Sequence, residues 1–122
     1  MNSILRKLNK ELSNNSQLFF ETMGGLHDCK CNKLYVDLNK KILAIEIDDL
    51  YSNFLGLEGY IECKNIKLII KSSKLIEMNL STFEDLTIDE INMYYNNLKI
   101  MFTNGDIINL DLNDQYSIQL EF

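Results

Sequence analysis

Leu26-His27-Asp28-Cys29-Lys30-Cys31 gathers the single histidine of this 122-residue chain and two of its three cysteines within six positions. Imidazole and thiolate are ligands that zinc favours, and Cys63 would supply a fourth. The spacing opposes such a site. Residues two apart on a strand stand about 7 Å apart, and the outer pair about 13 Å apart. Three such side chains do not converge on one ion at bonds of about 2.0–2.3 Å, and no C-x-x-C knuckle is present. His27 and Asp28, adjacent on a strand, point to opposite faces and so do not form an acid–base pair. The expectation is no metal and no cofactor, with His27 hydrogen-bonded to backbone at a strand start and Asp28 tying the turn before it.

Other chemistry is equally sparse. The chain has no G-x-S-x-G elbow, no G-x-x-x-x-G-K phosphate loop and no G-x-G-x-x-G dinucleotide motif. Paired carboxylates occur at Asp48-Asp49, Glu84-Asp85 and Asp89-Glu90. Neighbours on a strand diverge, however, and such pairs in loops are solvated. The sequence therefore reads as a non-enzyme.

The elements that would position these residues follow from periodicity. Ile4, Leu5, Leu8 and Leu12 recur at helical spacing. After Ser13-Asn14-Asn15-Ser16, which offers a cap, a second short helix over 17–23 would bury Leu18, Phe19, Phe20 and Met23, and Gly24-Gly25 would end it. From His27 the period becomes two. Leu34, Val36 and Leu38 would pair with Leu43, Ile45 and Ile47 across an Asn39-Lys40 turn. Further strands are expected over 60–70, 74–80, 88–95, 98–103, 107–112 and 116–120. Asn104-Gly105 predicts a two-residue hairpin turn placing Leu98, Ile100 and Phe102 against Ile108, Leu110 and Leu112. Cys29 and Cys31 have the opposite parity to Leu34 and Val36. A β-bulge near Asn32-Lys33 reconciles them and buries both thiols as small core hydrophobes. The fold class is α+β, mainly β: an antiparallel β-sandwich or strongly curved sheet of about seven to eight strands with one or two N-terminal helices.

The length suits one domain over 1–122, with a helical part over 1–23 and a β-rich body over 27–122. Charge is uneven. Residues 1–74 carry eleven Lys/Arg against nine Asp/Glu, whereas residues 75–122 carry Lys99 against nine acids, for net charges of +2 and −8. An acidic half disfavours nucleic acid, since a phosphate backbone would be repelled, and suits a basic protein partner. No apolar run has the length of a membrane span, and the opening residues lack a secretory core. An odd number of cysteines argues against a disulfide framework, so a cytoplasmic location is expected.

The run LHDCKCNKLYVDLNKKILAIEI, behind a helix and Gly-Gly, resembles the opening of small uncharacterised bacterial β-rich proteins, some classed as immunity proteins of polymorphic toxin systems. GYIECKNIKLII resembles a later strand of theirs, with Cys63 where an aromatic is usual. The resemblance implies a non-catalytic module that binds a cognate toxin domain. The alternative is a structural or accessory β-domain, oligomeric or not. The partner surface is expected in the segment DDLYSNFLGLEGY, where Asp48, Asp49 and Glu58 stand among Tyr51, Phe54 and Tyr60. Aromatic anchors within charge are the composition of an interface hot spot. Glu84 and Asp85, in the acidic half, are the next candidates. The competing expectation is that Phe54, Leu55 and Leu57 simply cover one open end of the β body.

Overall fold

The computed structural model describes residues 2–48, 50–51, 62–63 and 65–121. Two helices, α1 (Asn2–Asn14) and α2 (Ser16–Thr22), lead into a 3-10 turn over Gly24–Leu26. The strands are β1 (Lys30–Asp37), β2 (Ile42–Ile47), β3 (Leu50–Tyr51), β4 (Glu62–Cys63), β5 (Ile66–Asn79), β6 (Glu84–Tyr94), β7 (Asn97–Phe102) and β8 (Ile107–Glu121). The chain is mainly β, as expected, but it is not a sandwich of seven or eight strands. Six strands close into an antiparallel barrel in the order β1-β2-β5-β8-β7-β6, with β6 paired back onto β1, while β3 and β4 form a separate ribbon.

The difference has a specific cause. Of the strands expected over 60–70 and 74–80, residues 66–70 and 74–79 are the halves of β5 and 62–63 form β4, while 107–112 and 116–120 are the halves of β8. Each strand bends instead of turning. Ser72 takes φ +62, and the β5–β8 register jumps from Lys71↔Ser117 to Ser73↔Leu112. Bulges of this kind increase local twist and let a sheet curl closed, which removes its free edges. β1 carries another. Cys31 pairs with Ile47 but Lys33 with Glu46, so Asn32 is the extra residue. The expected bulge is therefore present, and Cys29, Cys31 and Leu34 are all buried.

Inside the barrel, Leu43, Ile45 and Ile47 of β2 meet Ile66, Leu68 and Ile70 of β5 and the alternate residues of β6, β7 and β8 in one continuous core. The helices extend that core with Leu8, Leu12, Phe19, Phe20 and Met23. Asn15 caps α2, its side-chain oxygen accepting from the Leu18 N–H at 3.0 Å. Leu18, expected inside, is exposed on α2. β7 pairs only with 107–111 of β8. Beyond that point α1 docks on β8, where the Asn9 amide mimics a neighbouring strand. Its nitrogen donates to the Leu120 carbonyl at 2.8 Å and its oxygen accepts the Leu120 N–H at 2.7 Å.

Two hairpins differ in detail from expectation. The β1–β2 connection has four residues, Leu38 to Lys41, which leaves Leu38 exposed. β7 and β8 pair antiparallel as expected, but the register, Leu98 opposite Leu110 and Ile100 opposite Ile108, is one residue off from the one a two-residue Asn104-Gly105 turn would set. The loop has three residues. The Gly105 N–H donates to the Phe102 carbonyl at 3.0 Å, the Phe102 N–H to the Asp106 carbonyl at 2.9 Å, and Gly105 alone takes positive φ, +92. Asn104 stays in the ordinary region because a type I turn followed by a left-handed residue needs only one positive φ.

Candidate functional site

The segment favoured from composition is only partly within the described residues. Asp48 follows β2, is half-buried, and donates its N–H to the Lys30 carbonyl at 3.2 Å. Leu50 is fully buried in the core, so this part of the segment covers the β body. Tyr51 lies in β3 opposite Glu62. Asp49, Phe54, Glu58 and Tyr60 lie outside the described residues, as do Leu55 and Leu57. Glu84 and Asp85 open β6, and both are exposed. β1 separates Asp48 from them, which puts them on one flank of the barrel about 10 Å apart across the strands.

The acids of β6 do not behave as adjacent residues on a regular strand, where one of each pair would turn inward. Asp85 takes φ +54. Farther on, Ile88 pairs with Phe102 but Glu90 with Met101, so Asp89 is an extra residue. Glu84, Asp85, Asp89 and Glu90 are consequently all exposed, while Leu86, Ile88 and Ile91 remain buried. The expectation that neighbours on a strand diverge fails at Asp89-Glu90, whereas Glu84-Asp85, which lies outside the expected strands, is exposed although it opens β6. Exposed aromatic residues bracket the strip: Phe83 before Glu84, and Tyr94 and Tyr95 after it. The two tyrosine rings meet edge-to-face, 4.6 Å between centroids. The Tyr95 N–H donates to Gln17 Oε1 at 3.4 Å, which fastens this end to α2. Between α2, the 3-10 turn and β6 lies a groove of about 360 Å³ lined in part by Glu21, Glu90 and Asn92.

His27 crosses the strip. Its Nδ1–H donates to the Asp89 carbonyl at 2.8 Å, so the expected backbone bond exists and its acceptor belongs to the bulge. Nε2 lies 3.4 Å from Asp28 Oδ1 and Nδ1 3.6 Å from Asp89 Oδ1. The backbone bond to Asp89, then the charge of Asp28, raise the imidazole above its ordinary pKa of 6.5. Protonation below that raised value reduces the negative charge of the strip, and deprotonation restores it. No lysine or arginine occurs between Lys74 and Lys99, so β6 has no cation of its own. That gap was the visible signal for this surface.

The remaining reactive groups are structural. The Cys31 thiol is fully buried, donates to the Lys33 carbonyl at 3.6 Å, and is pushed up to about 12 by burial, so it stays neutral. Among the described residues no group of three or more His, Cys, Asp or Glu side chains is placed to hold a metal ion, and no helix is long and apolar enough to cross a membrane. Asp106, which sequence reasoning passed over, ties two loops together. Its Oδ2 accepts from the Ser81 N–H at 2.9 Å, the Ser81 hydroxyl at 3.0 Å and the Asn104 amide at 3.0 Å. No family model, curated protein or solved structure matches the chain.

Proposed function

We propose that this chain is a non-catalytic protein-binding module that neutralises a basic partner. With the resemblance carried by its HD-opened strand, we read it as a cytoplasmic immunity protein against a cognate toxin domain. The observation that carries the reading is the acidic row of β6, a strand with no cation of its own, where two irregularities turn all four carboxylates outward between Phe83 and the Tyr94–Tyr95 pair; Lys33 of β1 borders it at Glu84. Fixed acids in a row steer a basic protein into encounter and mimic the phosphates that a nuclease must bind. Aromatic residues at both ends supply the apolar anchors that hold it. The groove beside Glu21 and Glu90 fits a lysine or arginine side chain from the partner.

The test is the association rate with the protein encoded by the adjacent gene. Glu84→Lys with Glu90→Lys should slow association about tenfold or more at low salt, and less at high salt, with an unchanged melting curve. Asp48→Lys with Asp49→Lys probes the segment after β2 in the same way. A partner that ignores salt, binds both double variants as fast as the parent, or fails to bind at all refutes the reading.

A further inference from the structure

The outer face opposite β6 carries a different pattern. In the barrel order, β5 stands three strands from β6 in either direction. Across β1, β2, β5 and β8 the registers align Lys33, Glu46, Lys67 and Glu121 in one row, so charge alternates from strand to strand. The next row is Tyr35, Ala44, Ile69 and Gln119. Tyr35 is 56% exposed, and Ala44 and Ile69 are half-buried. Together these rows line a shallow depression of about 460 Å³ on the barrel wall. Among the described residues, no ion pair engages Lys33, Glu46 or Lys67.

We propose that this face docks a second copy of the chain about a two-fold axis parallel to the strands. Such an axis reverses strand order while keeping each row on itself. The row Lys-Glu-Lys-Glu then meets Glu-Lys-Glu-Lys: Lys33 faces Glu121 of the second copy, and Glu46 faces its Lys67. In the neighbouring row Ala44 lies on Ile69 and Tyr35 on Gln119. The third row, Asp37, Ile42, Lys71 and Ser117, brings Ile42 over the aliphatic stem of Lys71. No like charges meet. An axis running across the strands instead would set Lys67 over Lys71 and is disfavoured. The face has three lysines and three acids over the three rows, so it has no net field to steer a charged partner. Its alternation is complementary to its own reverse, the condition an isologous interface must satisfy. The axis passes between β2 and β5, so contact centres there, where the Glu46–Lys67 pair occurs twice. The footprint is at the low end for specific interfaces, and the dimer should form in the micromolar range.

The ladder makes a discriminating test. Sedimentation of the parent chain from about 1 to about 300 micromolar should show mass rising toward twice 14.2 kDa, less steeply in high salt. Glu46→Lys alone and Lys67→Glu alone each set like charges across the axis, and each should be monomeric. Mixed one to one, they should form a heterodimer, because every opposed pair is again of opposite sign. The double variant carrying both changes should dimerise with itself. A parent chain that stays monomeric throughout, single variants that still self-associate, or a mixture that does not pair overturns the proposal. Should a single variant fail to fold, carbodiimide coupling in an isotope-mixed sample of the parent decides. A Glu46–Lys67 link between light and heavy chains supports the face, and its absence rejects it. Loss of partner binding at β6 leaves these outcomes unchanged, since the Glu46–Lys67 pairs that the variants read lie on β2 and β5; of the charged row only Lys33 adjoins β6, opposite Glu84.

Discussion

Gly25→Ala should be among the most damaging small substitutions in the chain, and its cost can be separated into two parts. Gly25 takes φ +67 in the 3-10 turn beneath β6. A Cβ there would lie 2.7 Å from Glu90 Cγ, 3.1 Å from Ile91 N and 3.2 Å from Ile91 O. The exposed Glu90 side chain can swing aside, but the Ile91 backbone is held opposite Ile100 in the ladder and cannot. Left-handed backbone costs a residue with a Cβ about 1–2 kcal/mol. Overpacking that forces a backbone shift adds about 1–3 kcal/mol. The sum is about 2–5 kcal/mol. Gly105 supplies the control, with φ +92 and no atom within 4 Å of the Cβ position. Gly105→Ala incurs only the conformational part, about 1–2 kcal/mol. Urea unfolding of the two variants, compared at equal m values, reads the difference directly. If Gly105→Ala loses as much stability as Gly25→Ala, the close approach of the turn to β6 is wrong.

Two further outcomes follow from buried groups. Cys29 and Cys31 should resist alkylation at pH 8 in the folded protein and react at once in urea, read by mass spectrometry of their peptide; modification in the native state would contradict their burial. Asp106 is held below its ordinary pKa of 3.8, chiefly by the Ser81 N–H. Its contribution is therefore fully present above that value and is lost as pH falls through the lower folded pKa. Asp106→Asn should lower stability at neutral pH and flatten its decline below about pH 4, and an acid limb as steep as the parent's would count against the clasp.

What the sequence made legible depended on parity. Cys31 and Leu34 differ in parity within one strand, which required an extra residue, and Asn32 is that residue. The same signal exists in β6, where Leu86 and Ile88 have one parity and Ile91 and Met93 the other, and it locates the Asp89 bulge. It also exists in β5, between Ile70 and Ser73, around Ser72. There the change of parity marks a bend within one strand and not the break between two that is expected over 71–73. In β8 the run Asn113-Asp114-Gln115 has turn composition and makes a local bond, the Gln115 N–H donating to Asn113 Oδ1 at 2.8 Å, yet the strand continues through it. Composition shows where backbone departs from regularity, but only the pairing partner decides whether it bends or turns back. Barrel closure was therefore not readable, because it depends on β6 finding β1, Lys33 pairing with Glu84, with β2 and β5 between them in the chain. For the site, the acidic half was plain in the residue counts. Which carboxylates share a face was not, because that depends on the bulges.

The irregularities that shape the barrel also set its charge. A regular β6 would have turned one carboxylate of each pair toward Leu86, Ile88 and Ile91, where an ionised group without a partner costs several kcal/mol. The left-handed Asp85 and the extra Asp89 avoid that cost and double the outward charge on the strand. The extra residue also leaves the Asp89 carbonyl available to His27, so the one imidazole in the chain is held among the acids it can partly neutralise. On the opposite wall, β5 places Lys67 and Lys71 at positions where each faces outward in an unbroken alternation. Strand regularity thus separates two kinds of surface on one small barrel. The wall of β2 and β5 presents balanced charge in ordered rows, and β6 presents acids alone, with Lys33 of β1 and Lys99 of β7 beside it. Because β2 and β5 stand two and three strands from β6, a dimer centred on them would leave both acidic strips facing outward.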